Sequence, residues 1–252
     1  MIRDNMKILV AGFKELSLID VHGHPSSVLW VCGCNLKCPF CHNWLIATAD
    51  PRYCELVEID RVIEWVRESS MLVDYFHVTG GEPLLQVDAL LSLYSETRRM
   101  GLRNSVNTNA TLPSELEKLL RTGVVEHVAL DLKIPFEELT GMGNAWRSYW
   151  DRFKISLKIL GDYDVVVELR IPVARELTRK YLDRYLDEIA SSLKRINRLY
   201  VVVNPLIGEP LVNPRDREWS RKYCFPRDEE LASVRDSIEA IIGCKVVVKK
   251  WW

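Results

Sequence analysis

Short apolar runs alternate with longer segments of helical spacing along this 252-residue chain. Each run is rich in β-branched or aromatic residues and is short enough to be a buried strand. The predicted strands are residues 28–31, 75–79, 104–107, 125–132, 165–171 and 199–203. The segments between them place apolar residues three and four positions apart, as amphipathic helices do. The predicted helices are residues 58–68, 87–99, 114–121, 146–160 and 177–193.

Alternation of strand and helix predicts an α/β fold with a parallel sheet. Six such strands favour a partial, TIM-like (β/α)6 barrel, and an open doubly wound sheet remains the alternative. No linker or repeat divides the chain, so we expect one domain over residues 1–252 with its core in residues 24–205. Residues 1–23 form an N-terminal ribbon, extended over 7–21. Residues 206–252 form a C-terminal extension with a helix at 228–241 and a strand at 245–250.

Charge and hydropathy narrow the function classes. The 34 basic and 35 acidic residues give a net charge of -1, which predicts no general affinity for nucleic acid or for an anionic membrane. No apolar stretch is long enough to span a membrane, and residues 1–5 lack the features of a secretory signal. We therefore expect a soluble, cytoplasmic protein.

Seven cysteines lie at positions 32, 34, 38, 41, 54, 224 and 244. An odd number, with four inside ten residues, is typical of metal binding rather than of a disulfide framework. We expect Cys32 to be a free buried thiol outside the ligand set, and Cys54, Cys224 and Cys244 to be structural.

Cys34, Cys38 and Cys41 follow the first predicted strand directly, in a loop where α/β folds bind ligands. Three thiolates would leave one iron of a [4Fe–4S] cluster without a protein ligand, whereas an electron-transfer ferredoxin closes its cluster with a fourth Cys. A zinc site completed by His42 or Cys32 is the alternative. Structural zinc sites usually pair two knuckles, and the sequence has no second one.

Later strands also end in residues suited to ligand binding. The second predicted strand runs into Thr-Gly-Gly-Glu-Pro at residues 79–83, where Gly80 and Gly81 let the backbone approach a ligand closely. A plain strand-to-helix turn is the alternative. The third strand ends in Asn-Thr-Asn-Ala-Thr at residues 107–111. Thr108 and Asn109 can hydrogen-bond a ligand, and we expect Ala110 to avoid the left-handed backbone region.

Charged side chains end the fourth and fifth predicted strands. Asp131 and Lys133 point to the same side by the two-residue period of a strand, and a surface charge pair is the alternative. Glu168 and Arg170 also share a face, and we expect them to face inward as a buried ion pair. His22, His24 and His77 lack metal-ligand spacing, so we expect hydrogen-bonded structural roles for all three.

Cys-x3-Cys-x2-Cys with the aromatic Phe40 before the last Cys resembles the signature of the radical S-adenosylmethionine (SAM) superfamily. Gly-Gly-Glu-Pro and Asp-x-Lys strengthen the resemblance, which spans about residues 10–205. It implies a [4Fe–4S] cluster on Cys34, Cys38 and Cys41 whose fourth iron binds SAM. It also implies reductive cleavage of SAM to methionine and a 5′-deoxyadenosyl radical.

The same resemblance implies which residues surround SAM. Phe40 would line the adenine site, Glu82 and its two glycines the amino group, and Asp131 with Lys133 the ribose and carboxylate. Asn107 departs from the carboxylate usual in activating enzymes, which puts a monovalent-cation site in doubt. The full set of cofactor-binding residues implied is Phe40, Asn43, Gly80, Gly81, Glu82, Thr108, Asn109, Asp131, Lys133, Arg170 and Asn204.

The sequence Cys41-His42-Asn43 is similar to that of glycyl-radical-enzyme activating proteins, which serve anaerobic ribonucleotide reductase or pyruvate formate-lyase. This implies an oxidoreductase that takes hydrogen from a backbone glycine of a partner enzyme, with a flavodoxin- or ferredoxin-type electron donor. The alternatives are a small-molecule enzyme similar to 7-carboxy-7-deazaguanine synthase and, outside enzymes, a zinc-stabilised binding module. The role of Trp251 and Trp252, docking element or cap, stays open.

Overall fold

The computed structural model describes residues 6–249, which divide into two compact units. The first comprises residues 6–35, 45–108 and 114–128, and the second residues 36–44, 109–113 and 129–249. The single-domain organisation expected from the sequence therefore stays a prediction. Trp251, Trp252 and the end of the predicted strand 245–250 lie outside the described residues.

The first unit is built on a sheet. Its strands are β1 (Lys7–Val21), β2 (His24–Val31), β3 (Glu55–Glu58), β4 (Tyr75–Gly80) and β5 (Arg103–Thr108), and the first two residues of β6 (His127–Asp131) also belong to it. Their order in the sheet is β3-β1-β2-β4-β5-β6. β1 pairs antiparallel with β2 and with β3, whereas β2, β4 and β5 run parallel.

Amphipathic helices cover this sheet as their spacing predicts. Val62, Ile63 and Val66 are buried on one face of the second helix, and Leu90 and Leu93 on one face of the third. The helices of this part of the chain are α1 (Trp44–Ala47), α2 (Ile59–Ser69), α3 (Val87–Arg99) and α4 (Pro113–Arg121), with a 3-10 turn at Pro83–Gln86.

The second unit contains the end of β6 followed in the sheet by β7 (Val166–Val173), β8 (Leu199–Pro205) and β9 (Lys245–Val248). β7, β8 and β9 are parallel. Its helices are α5 (Phe136–Leu139), α6 (Trp146–Leu160), α7 (Leu177–Lys194), α8 (Arg217–Tyr223) and α9 (Asp228–Ile242), with a 3-10 turn at Gly143–Ala145. Phe136, Trp150, Phe153 and Tyr185 form an aromatic core cluster between α5, α6 and α7.

Among the described residues, no helix is both long enough and apolar enough to cross a membrane.

Candidate functional site

The loop that carries Cys34 is fixed at the residue just before it. Gly33 N–H donates to the Ile46 carbonyl (2.9 Å), and the Gly33 carbonyl accepts from Glu82 N–H (2.7 Å). Gly33 also has a φ of +87°, a conformation that favours glycine. The position of Cys34 within the first unit therefore depends on two backbone contacts made next to it.

Gly80 and Gly81 hold this loop by close backbone approach. A Cβ on Gly80 would lie 2.5 Å from the Val31 carbonyl oxygen, and one on Gly81 would lie 2.0 Å from the Gly33 carbonyl oxygen. The Gly81 N–H donates to the Val31 carbonyl (2.8 Å). The sequence predicted that Gly80 and Gly81 let the backbone approach a ligand. In the structure they let it approach the cysteine loop.

Glu82 is fully buried beside these glycines. Its Oε1 accepts hydrogen bonds from Leu84 N–H (3.1 Å) and from the Thr108 hydroxyl (2.7 Å). A buried carboxylate needs such donors, because desolvation otherwise disfavours its charge. Thr108 therefore positions Glu82, a role that the sequence did not reveal.

Asn107 places an acceptor without a partner at the end of β5. Its Nδ2 donates to the Thr79 hydroxyl (3.2 Å), while its Oδ1 is buried and has no hydrogen-bond partner among residues 6–249. A buried polar atom of this kind costs free energy unless something satisfies it. A ligand that donates a hydrogen bond fits this position.

Cys38 and Cys41 lie in the second unit on a tight turn closed by Cys41 N–H donating to the Cys38 carbonyl (3.2 Å). The segment before α8 holds the turn from outside: Arg215 N–H donates to the Cys41 carbonyl (3.0 Å) and Asp216 N–H to the Pro39 carbonyl (2.9 Å). Sequence reasoning missed this segment, because backbone hydrogen bonds leave no residue-type signal.

Opposing effects act on the pKa of the Cys41 thiol. Burial raises the pKa of the Cys41 thiol, while a hydrogen bond from the Asn43 backbone and the charges of Arg215 and Lys133 lower it. Burial also lowers the pKa of His42, against the charge of Asp131. Burial is the largest of these effects, so the pKa of the Cys41 thiol is raised overall, and the charge of Asp131 also raises it. The donor and the cations would offset part of the cost of a metal-bound thiolate here. Asn43 contributes through its backbone.

The ring of Phe40 packs 6.0 Å from that of Trp219, centroid to centroid. The ring also packs against a small buried cluster of Leu139, Ala174, Leu206 and Cys224. The turn between Cys38 and Cys41 is therefore anchored by apolar packing as well as by hydrogen bonds. The predicted place of Phe40 beside adenine stays a prediction.

Asp131 and Lys133 form an ion pair at the end of β6, with Nζ and Oδ2 3.0 Å apart. The Lys133 side chain is buried, whereas Asp131 is partly exposed. The surface-pair alternative is thus wrong for Lys133, since a buried ammonium is costly unless it is paired.

Glu168 and Arg170 form the buried pair that the sequence predicts, with Nε and Oε1 2.6 Å apart. Glu168 is fully buried and also accepts from the Tyr200 hydroxyl (2.6 Å). This network fixes the guanidinium of Arg170 on β7.

The expectation that Ala110 avoids left-handed backbone is wrong, because its φ is 56°. The cause is the preceding side chain. Asn109 Oδ1 accepts from the Thr111 N–H (3.0 Å) and hydroxyl (2.6 Å), which closes a turn around Ala110. Asn109 thus has a structural role in addition to the ligand contact expected of it.

Asn204, the penultimate residue of β8, has a buried Oδ1 with no hydrogen-bond partner within the described part of the chain. Like Asn107 in the first unit, it offers an acceptor to a donor from outside the protein.

Two of the histidines predicted to be structural are hydrogen-bonded. His24 Nδ1 lies 2.9 Å from Asp74 Oδ2, and His77 Nδ1 lies 2.8 Å from the Ser105 hydroxyl. That hydroxyl in turn lies 2.8 Å from His127 Nδ1.

Cys32 is not a free thiol, and Cys54 is not isolated, because the two form a disulfide. The spacing of the cysteines does not indicate this contact, because it depends on strand pairing. Cys34, Cys38, Cys41, Cys224 and Cys244 are outside any disulfide. Cys32 is therefore unavailable to the zinc alternative.

Within residues 6–249, no three His, Cys, Asp or Glu side chains lie together as ligands of one metal ion. A cluster binds its thiolates to separate irons, so the assignment of Cys34, Cys38 and Cys41 to a cluster stays a prediction. Reduced thiols, a backbone donor to Cys41 and two orphaned acceptors fit a cluster with an organic ligand.

The sequence profile of the radical SAM superfamily matches residues 28–189. The chain belongs to the radical SAM superfamily. It is thus an enzyme of the radical SAM class, and the cofactors of that class are a [4Fe–4S] cluster and SAM, as predicted.

Two activities are represented among the named proteins that this chain resembles. A candidate glycyl-radical enzyme activating enzyme of Methanocaldococcus jannaschii is 34% identical over 53% of this chain and 53% of its own length. The 7-carboxy-7-deazaguanine synthase of Hyperthermus butylicus is 30% identical over 67% of this chain and 75% of its own length. The pyruvate formate-lyase-activating enzyme of Listeria monocytogenes is 32% identical over 42% and 46%. The match thus spans about half the length of the two activating enzymes.

Streptococcus suis SuiB, solved with its precursor peptide SuiA, has a TM-score of 0.63 to this chain at 14% identity, over 88% of this chain and 48% of SuiB. Such likeness shows the fold, and it confirms the predicted partial (β/α)6 barrel class.

Proposed function

We propose that this protein reductively cleaves SAM at a [4Fe–4S] cluster bound by Cys34, Cys38 and Cys41, and that it installs a glycyl radical on a partner enzyme. The observation that carries the first part is the set of three reduced thiols, each in a loop segment fixed by backbone hydrogen bonds. Three thiolates leave one iron open to a ligand.

A cluster and SAM held by these residues would supply a carbon radical able to abstract hydrogen, formed by one-electron reduction of SAM. The residues of the chain hold and orient these groups. Gly33 and Gly81 fix the backbone beside Cys34, while Arg215 N–H and Asn43 fix Cys41. These contacts keep the cysteine loop in one conformation, and the Asn43 N–H would offset part of the cost of burying a Cys41 thiolate.

Polar side chains at the strand ends suit the charged and hydroxylated parts of SAM. Asn107 and Asn204 each offer a buried acceptor that lacks a protein partner within residues 6–249. Lys133, held by Asp131, is a buried cation suited to a carboxylate. Arg170 is fixed by Glu168 for a similar contact. The assignments of Lys133, Arg170 and Asn204 carry forward what the resemblance implies, whereas that of Asn107 rests on its buried acceptor.

A glycyl radical enzyme is favoured as substrate by the activating enzymes among the relatives and by the sequence Cys41-His42-Asn43. The electron would come from a flavodoxin- or ferredoxin-type donor. Incubation with SAM, dithionite and a candidate glycyl radical enzyme under anaerobic conditions tests the proposal. The expected result is an EPR doublet from a glycyl radical, together with 5′-deoxyadenosine. SAM cleavage without a radical on any candidate enzyme would contradict the protein-substrate part.

The second candidate is a small-molecule reaction, because a 7-carboxy-7-deazaguanine synthase matches 67% of this chain and 75% of its own length. The same cleavage assay with a deproteinised cell extract as the source of small molecules, analysed by mass spectrometry for 7-carboxy-7-deazaguanine, separates the two. Formation of that product would favour this candidate, and SAM cleavage that the extract leaves unchanged, with no such product, would exclude it.

A further inference from the structure

Cys32 and Cys54 form a covalent link within the first unit. Their Cα atoms are 6.1 Å apart, inside the range that a disulfide spans without backbone distortion. Cys32 is buried and Cys54 is half-buried. The cluster and SAM expected for the superfamily, and the activities named for the relatives, leave this disulfide without a role.

Strand pairing brings the two cysteines together independently of the bond. Val10 of β1 pairs with Val31 of β2 on one side and with Glu55 of β3 on the other. Cys32 directly follows Val31, and Cys54 directly precedes Glu55. The proximity of the two sulfurs is therefore a consequence of the position of β1 between its two neighbours.

Hydrogen bonds hold both ends of the link. Cys32 N–H donates to the Leu9 carbonyl (3.0 Å), and Gln86 binds both the N–H and the carbonyl of Leu9 (2.8 and 3.0 Å). The Ile46 carbonyl accepts from Gly33 N–H (2.9 Å) and faces the Cys54 sulfur at 3.9 Å. The backbone on both sides of the disulfide is therefore held by hydrogen bonds.

The chain segment that the disulfide closes is the one that carries the cluster cysteines. Cys32 and Cys54 are 22 positions apart, and Cys34, Cys38 and Cys41 all lie between them. A cross-link that closes a segment lowers the entropy of its open conformations. Without the link, hydrogen bonds and packing would still hold the ends of the segment, but no covalent bond would limit their separation before a cluster is bound.

We propose that the Cys32–Cys54 disulfide ties both ends of the cluster-binding segment and so prepares it for cluster binding. The role in cluster binding rests on the proposed function, whereas the existence of the disulfide and its effect on the unliganded fold do not. In forming it, two thiols lose two protons and two electrons, which a protein disulfide donor accepts by thiol–disulfide exchange. A phosphine reverses the reaction and is itself oxidised to the phosphine oxide, with oxygen from water.

Thiol counting tests the existence of the link. The full chain, denatured without reductant and alkylated, should take up label at five of its seven cysteines, with Cys32 and Cys54 in one cross-linked peptide by mass spectrometry. After phosphine, all seven should be labelled. Seven labelled cysteines before reduction would overturn the proposal.

Variants test the role. Cys32→Ser and Cys54→Ser remove the same bond, so each should lower the Tm of the cluster-free protein, on the order of 10 °C. The double variant should lose no more than either single one. After anaerobic purification without added thiol, bound iron should fall by the same fraction in both single variants. Cys244→Ser, which removes a cysteine outside the link, should match wild type.

Two outcomes would overturn the proposal: additive losses of Tm in the double variant, or iron lost in Cys32→Ser but kept in Cys54→Ser. The second would make Cys32 a ligand rather than part of a tie. Failure of the proposed function looks different. A protein that binds no iron would still show five labelled cysteines and the non-additive Tm loss.

Discussion

The substitution Gly81→Ala tests how the cysteine loop is held. The added Cβ would lie 2.0 Å from the Gly33 carbonyl oxygen and 2.8 Å from its carbon. Both are backbone atoms, so the loop must move by about 1.4 Å before the 2.0 Å contact reaches the ordinary range that begins at 3.4 Å. That movement would also weaken the bond from Glu82 N–H to the same oxygen.

The expected loss of stability in Gly81→Ala combines the steric overlap with the weakened hydrogen bond. Overpacking of a tight site costs about 1–3 kcal/mol, and a lost backbone hydrogen bond about 1 kcal/mol. We therefore expect the free energy of unfolding to fall by roughly 2–4 kcal/mol, which lowers Tm by about 5–15 °C. Because Gly33 adjoins Cys34, bound iron should fall as well.

The assay pairs thermal unfolding of the cluster-free protein, followed by circular dichroism, with iron analysis after anaerobic purification. Gly12→Ala is the matched control, since a Cβ there meets no atom within 4 Å and Gly12 lies in a strand of the same unit. It should behave like wild type. The reasoning would be refuted if Gly81→Ala kept both the wild-type Tm and the wild-type iron content.

Two further substitutions follow from the site. Thr108→Val removes the hydroxyl that donates to buried Glu82, so the free energy of unfolding of the cluster-free protein should fall by about 2 kcal/mol. Thr48→Val, which removes an exposed hydroxyl, is the control. Equal Tm values in the two variants would contradict the role of Thr108. Lys133→Ala should keep iron but weaken SAM binding by roughly tenfold or more, since it removes a buried cation expected to face a carboxylate. Lys118→Ala, at an exposed pair, should leave SAM affinity unchanged, and the same affinity in both lysine variants would argue against Lys133.

Periodicity predicted the long elements well. The predicted ranges 87–99 and 146–160 coincide with α3 and α6, and 7–21 with β1. β3 was missed because only Val57 of its four residues is buried, which leaves no alternation to detect. α8 was missed because it follows an irregular loop and buries only Ser220.

In the site, features set by neighbouring residues on one strand were predictable, and features set by side-chain turns or strand pairing were not. Pairs two residues apart on one strand, such as Glu168 with Arg170, were predictable because the strand period fixes their common face. The left-handed Ala110 was not, because an Asn109 side-chain turn overrides the preference of alanine. The Cys32–Cys54 bond was not, because it depends on which strands flank β1.

The central claim is that Cys34, Cys38 and Cys41 hold a cluster at which SAM is cleaved. Its most direct test is iron content and dithionite-dependent 5′-deoxyadenosine formation in anaerobically purified wild type, in the three single Cys→Ala variants, and in Cys244→Ala as control. The account predicts about four irons per chain and SAM cleavage in wild type and in Cys244→Ala, and no cleavage in the other three. A colourless zinc protein without cleavage, or cleavage that survives loss of any one of the three cysteines, would contradict it.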